Sequence, residues 1–138
     1  HLADDIEFYR DFQPDMAGIG PYIPHPDTPL AGSETGTLQM TLKMVALTRI
    51  VTRNALLPAT TAIGSIEELG REMALEAGAD VVMPNYTPLK YRVHYEIYPN
   101  KRCITEDPAH CDGCMRMRIA SVGRTVSTDQ GHSRKGHS

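Results

Sequence analysis

A chain of 138 residues with 41% apolar and 22% charged residues can bury one real core and suits an ordinary globular domain. A formal charge of −3 offers no electrostatic footprint for nucleic acid or an anionic membrane. No apolar run approaches the roughly 18 to 20 residues that a membrane span needs.

The start, HLADDIEFYRDF, is acidic and amphipathic, unlike a secretory signal. It lacks an initiator methionine and opens inside a helical pattern, so residues upstream are expected. Leu2, Ile6 and Tyr9 share one face of that first helix, and Pro14 ends it. A short apolar strand is expected over residues 16–20, with no alternation, as in a parallel strand buried on both faces. It empties into a loop stiffened by Pro21, Pro24, Pro26 and Pro29. A long helix is expected from Thr37 to about Arg53, its methionines serving as core filler.

The plan then repeats. A second strand over residues 56–61 runs into Ala62-Ile63-Gly64. Ser65 with Glu68 forms a possible capping box; alternatively residues 64–70 stay a loop and the helix begins near Arg71. Gly78 closes that helix and a third strand follows over 79–83. A short helix over 91–98 precedes a turn at Pro99-Asn100. A helix with basic residues Arg116 and Arg118 is expected within 107–122. The chain therefore reads as α/β, built of consecutive βα units. Three parallel strands would leave two unpaired edges, so this pattern suits part of a larger barrel, and the isolated chain is expected to self-associate.

All three cysteines fall between Cys103 and Cys114. An odd number packed so closely is a poor disulfide framework and a better metal or cluster site, which favours a reducing, cytoplasmic setting. Cys103, Cys111 and Cys114 offer soft thiolates for zinc or an iron–sulfur cluster. Water, His110, Asp112 or a distant ligand could supply the fourth position. Thr60 and Thr61 end the second strand and Asn85 ends the third, so their polar groups could hold a ligand at one mouth or satisfy loop backbone. Tyr95 and Tyr98 share a helical face and could line a pocket or simply pack. His25 suits a loop hydrogen bond. No P-loop, GxSxG or HExxH is present.

Taken together, GIGPYIPHPDTPL, LKMVALTRI, PATTAIG, GREMALEAGADVVMPNYTP and the cysteine spacing resemble the carboxyl-terminal portion of the HydE family. These are radical S-adenosylmethionine maturases of [FeFe]-hydrogenase. The likeness runs from about residue 1 to residue 125. It implies the last three βα units of a (βα)8 TIM barrel over residues 1–100. A cysteine cluster segment and helix would follow over 101–123; residues 124–138, almost wholly beyond the likeness, read by their polar composition as a disordered tail. It implies S-adenosylmethionine and a [4Fe-4S] cluster whose CxxxCxxC ligands do not occur in this chain. Met16, Pro21 and Ile23 would lie near the adenosyl group. Thr60, Thr61, Met83, Tyr95 and Tyr98 would line the substrate cavity. Cys103, Cys111 and Cys114 would hold an accessory cluster, [2Fe-2S] or another type.

The implied substrate is a small organometallic or amino-acid-derived molecule. The implied partners are the other hydrogenase maturases and the missing amino-terminal half of the barrel. Tyr86, where an indole is expected, and His94 depart from the family pattern. Biotin-type or methylornithine-type radical synthases are the alternative family, and a stand-alone metal-binding module is the alternative class.

Overall fold

The computed structural model describes residues 1–102 and 108–135, and of residues 108–111 the backbone alone. In chain order it contains α1 (Leu2–Phe12), α2 (Leu38–Thr52), α3 (Thr61–Ile66), α4 (Gly70–Glu76), α5 (Leu89–Arg92), a 3-10 turn (Val93–Tyr95) and α6 (Pro108–Ser121). α1 ends as its sequence requires: Gln13 takes a left-handed conformation (φ 51°), donates back to the Tyr9 carbonyl, and Pro14 follows. α2 is capped by Thr37, whose hydroxyl accepts from the Met40 N–H at 3.2 Å.

The expected strands are the main correction. Among the described residues there is no extended strand. The three segments meet only as single parallel bridges, Met16 with Leu56 and Pro58 with Val81. Order and direction are those of consecutive βα units, but each ladder is one bridge long. The reason lies in the segments themselves. Pro58 has no N–H to give a ladder, and residue 61 already begins α3. A few backbone bonds carry the pairing: Ala17 N–H to Leu56 O, Leu56 N–H to Asp15 O, Ala59 N–H to Val81 O, and Asp80 N–H to Leu57 O.

Around these bridges lies a core of Ala17, Val45, Ala55, Leu57, Ala59, Ile63, Ala74, Leu75 and Ala79. Most of these are alanines, which let α2 and α4 approach the bridged segments closely. α2 turns Thr41, Met44, Val45, Thr48 and Thr52 inward. Two of those threonines satisfy their hydroxyls on the carbonyl four residues back: Thr41 on Thr37 and Thr52 on Thr48. The methionine expectation divides: Met44 is core, whereas Met40 is exposed.

Between the second and third bridged segments there are two helices rather than one. Ser65 does not cap; it lies inside α3 and donates to the Thr61 carbonyl at 3.1 Å. α4 begins at Gly70, close to the point where the alternative reading put it. The expected helix over 91–98 is shorter and earlier, as α5 and its 3-10 turn.

Ion pairs tie the layers together. Asp80 accepts from the Leu57 N–H at 2.7 Å and pairs with Arg49 of α2 at 2.8 Å. Arg49 also donates to the carbonyls of Gly78, Arg53 and Ala55. This α2 guanidinium is thus the clamp on the incoming ends of two bridged segments. Beyond α6 the chain has no regular structure, but it returns to the same end. Arg124 donates to the Ala79 carbonyl, Arg134 pairs with Asp80, Ser133 bonds Asp15, and Lys135 reaches the Pro14 and Gln13 carbonyls.

Candidate functional site

At the opposite, outgoing end of the bridged segments lies a cleft of about 210 Å³. Thr61 enters it from the start of α3, Met83 from just past the third bridge, and Tyr95 from the 3-10 turn. These are three of the five residues expected to line a substrate cavity. Thr60 and Tyr98 are not in its lining. Thr60 instead stands against the first segment: a Cβ added at Gly20 would lie 2.8 Å from its Oγ1, so its buried hydroxyl packs on bare backbone. Tyr98 is half-buried nearby. Burial pushes its phenol up, against the opposing pull of a hydrogen bond to Ser65 and the Arg71 charge, so it is neutral across the physiological range.

The cleft also holds cations that sequence reasoning did not single out: Arg71, Lys101 and Arg102. Arg71 is 6% exposed, donating from Nη2 to Thr61 Oγ1 and from Nη1 to Met115 Sδ, both at 3.1 Å. Arg102 donates to the Gly64 carbonyl at 3.2 Å. Asn85 and Thr87 complete the polar wall, with the Thr87 N–H bonded to Asn85 Oδ1. That rim hangs on Arg92, which is fully buried and donates to the carbonyls of Thr87 and Asn85 at 2.6 Å each. The sequence signal for Arg92 was faint: an arginine in an otherwise exposed turn of tyrosines. Asn85 satisfies loop backbone, as one of the two alternatives for it had it, and it also stands in the cleft wall.

A second, more apolar hollow of about 410 Å³ lies between α1, α2 and the first segment. Pro21 lines it with Ile19, Tyr22, Met40 and Met44. Met16 and Ile23, grouped with Pro21 by resemblance, are not part of that lining. His25 makes the expected loop bond, accepting from the Asp27 N–H at 3.1 Å.

Of the cysteines, Cys103 lies outside the described residues. Cys111 is on α6, with its side chain outside them, and Cys114 is one turn further along, half-buried. The spacing places these two on one helical face, and thiolates there suit a soft metal. Arg118, four residues on, is held above its usual range, first by a hydrogen bond to Cys114 and then by Glu72, with which it pairs at 2.6 Å. Asp112, one of the suggested fourth ligands, is taken by Arg116 at 2.9 Å. The side chain of His110 lies outside the described residues. Among the described residues no three metal-ligating side chains converge. No helix there is long and apolar enough to cross a membrane.

No family model matches the chain. A curated relative, the [FeFe] hydrogenase maturase subunit HydE of Thermotoga maritima, is 49% identical over 130 residues. The match takes in 94% of this chain and 37% of that protein, so the chain spans little more than a third of its relative's length. Identity of that extent, running through the bridged segments, the cleft and most of the remaining chain, reflects common descent, and the chain belongs with the carboxyl-terminal portion of the HydE family.

Proposed function

We propose that this chain forms the carboxyl-terminal part of a radical S-adenosylmethionine enzyme that matures [FeFe]-hydrogenase. The observation that carries the reading is the 49% identity to a HydE maturase subunit over nearly the whole chain. The cleft supports it, because Thr61, Met83 and Tyr95 come together from three separate elements. In this reading the parallel bridges are the last three units of a TIM barrel, and the cleft is part of its internal substrate cavity, with Thr60 and Tyr98 behind its wall. Chemistry at the outgoing ends of parallel strands is the rule for such barrels.

The substrate is a small organometallic or amino-acid-derived molecule, and the partners are the other maturases. Met16, Pro21 and Ile23 belong to the S-adenosylmethionine side of the barrel. When bound, that cofactor and a [4Fe-4S] cluster supply a 5′-deoxyadenosyl radical; the CxxxCxxC ligands for the cluster are not in this chain. This chain's own residues bind and orient the substrate and exclude water. Cys103, Cys111 and Cys114 hold an accessory iron–sulfur cluster, [2Fe-2S] or another type, in a cytoplasmic enzyme. Arg118 meets the negative charge of the Cys114 thiolate there.

The test uses the full-length protein, reconstituted anaerobically with iron and sulfide. It should cleave S-adenosylmethionine to 5′-deoxyadenosine under a strong reductant. Cys111→Ser with Cys114→Ser should lower the bound iron while that cleavage persists. Absence of cleavage in the loaded wild-type protein would sink the enzyme reading. Unchanged iron in the double variant would remove the accessory site.

A further inference from the structure

We propose that Arg71 is a positioning residue of the cleft, holding Thr61 so that its hydroxyl hydrogen is offered to a hydrogen-bond acceptor on the bound molecule. The role rests on reading the cleft as a binding site. The arrangement itself is a matter of geometry and charge.

Arg71 is the first residue after Gly70 at the start of α4, and only 6% of it is exposed. A guanidinium does not give up its proton in a protein, and a buried one ordinarily sits against a carboxylate. Arg71 has no ion pair among the described residues. Its partners are two neutral acceptors, Thr61 Oγ1 and Met115 Sδ, and its Nε has none. The Nε lies under Gly64, where an added Cβ would come within 3.3 Å of it. The side chain is therefore held in place by packing, with one arm of its fork on Thr61.

That arm decides what Thr61 can do. A threonine oxygen carries one hydrogen and two lone pairs. Arg71 occupies a lone pair, so the hydrogen turns elsewhere, and no acceptor for it exists among the described residues. Thr61 lines the cleft, and its hydrogen is free for a bound acceptor. Donation from a cation polarises the hydroxyl and makes it a better donor in turn. The cleft at this point favours an acceptor over an N–H group. The other arm rests on Met115, which is buried in α6 beside Cys114. The orientation of Thr61 thus depends on a side chain carried by the cysteine-bearing helix.

A reporter thiol tests this without any measurement of turnover, so its failure is distinct from failure of the maturase reading. In the full-length protein, Thr61→Cys puts a sulfur where the Thr61 oxygen accepts from Arg71. The pH profile of its alkylation by iodoacetamide, followed on its own peptide by mass spectrometry, should show a midpoint below the ordinary cysteine value of about 8.5. Adding Arg71→Gln should return the midpoint upward, with alkylation at pH 7 slower by roughly fivefold or more. Adding Arg71→Lys, which keeps a cation, should leave the midpoint nearer that of Thr61→Cys alone. Because the midpoint is read from the profile, greater access in a loosened variant does not imitate the effect. The same midpoint with and without Arg71 would overturn the proposal. If the Arg71 variants do not fold, Thr61→Cys alone decides it, and a midpoint at or above 8.5 overturns it.

Discussion

Among the described residues Arg92 is the largest side chain fully withdrawn from water, and its Nε and Nη2 donate to backbone carbonyls. Removing it would leave the carbonyls of Thr87 and Asn85 without those bonds in a dry site. Arg92→Met should therefore cost about 2 to 4 kcal/mol. Denaturant unfolding of the full-length protein checks this, and a loss below about 0.5 kcal/mol would mean that water replaces the bonds. Tyr98 makes a second residue-scale case. Its phenol is raised above the ordinary value of 10.0 by burial. The unfolded chain therefore loses this proton first as pH rises, and the stability held by the neutral phenol is complete below the unfolded value and fades as pH climbs through the folded one. Tyr98→Phe should flatten that alkaline loss in unfolding measured from pH 8 to 11. A loss of the same size in both proteins would remove Tyr98 as its source. Both residues stand close together in the sequence without any pattern that marks one as buried and the other as half-buried. Tyr98 takes its environment from Ser65 and Arg71, far back along the chain, whereas Arg92 is bonded to the loop just before it.

Among the elements, the two short helices α3 and α4 show how close approach sets geometry. A Cβ at Gly70 would lie 2.3 Å from the Ile63 carbonyl oxygen, which is backbone and cannot swing aside. Gly70→Ala should push α4 off α3, carry Arg71 away from Thr61, and cost about 2 kcal/mol or more. Unfolding measurements should find that loss; a neutral effect would mean that the two helices separate freely. The returning segment 131–135 makes a different prediction. Ser133, Arg134 and Lys135 all bond to the incoming ends of the bridged segments. Replacing all three with alanine in the full-length protein should speed hydrogen exchange at residues 15–17 and 79–81, with a stability loss of about 1 kcal/mol that shrinks at high salt. Unchanged exchange there would show that the segment only rests on the surface. The positions of α1, α2 and α6 were legible beforehand because caps, proline and periodic apolar residues are local signals, whereas the break between α3 and α4 and the early start of α5 were not. The extent of the strands was not, since pairing depends on partners and Pro58 denies its ladder a donor.

At the scale of the whole molecule, the bridged segments have two open edges, and large apolar side chains stand in water around the cleft. Met83, Tyr86, Tyr95 and Ile97 are each more than half exposed. The 138-residue chain by itself should associate on size-exclusion chromatography, whereas the full-length protein should not, because in the proposed reading the rest of a barrel covers these surfaces. A stable monomer of the short chain would contradict this. Composition, the order of its βα-like units, the limits of α1, α2 and α6, the cysteine spacing and the family were all determined by the sequence alone, because each rests on local pattern or on identity of residues. Tertiary structure alone decided that Thr61, Met83 and Tyr95 meet in the cleft while Thr60 and Tyr98 fall outside its lining. It also decided that Arg49, Arg71 and Arg92 are interior clamps rather than surface charge. The physical reason is that each guanidinium is held by the acceptors and packing that the folded chain assembles around it, and no local pattern records that assembly.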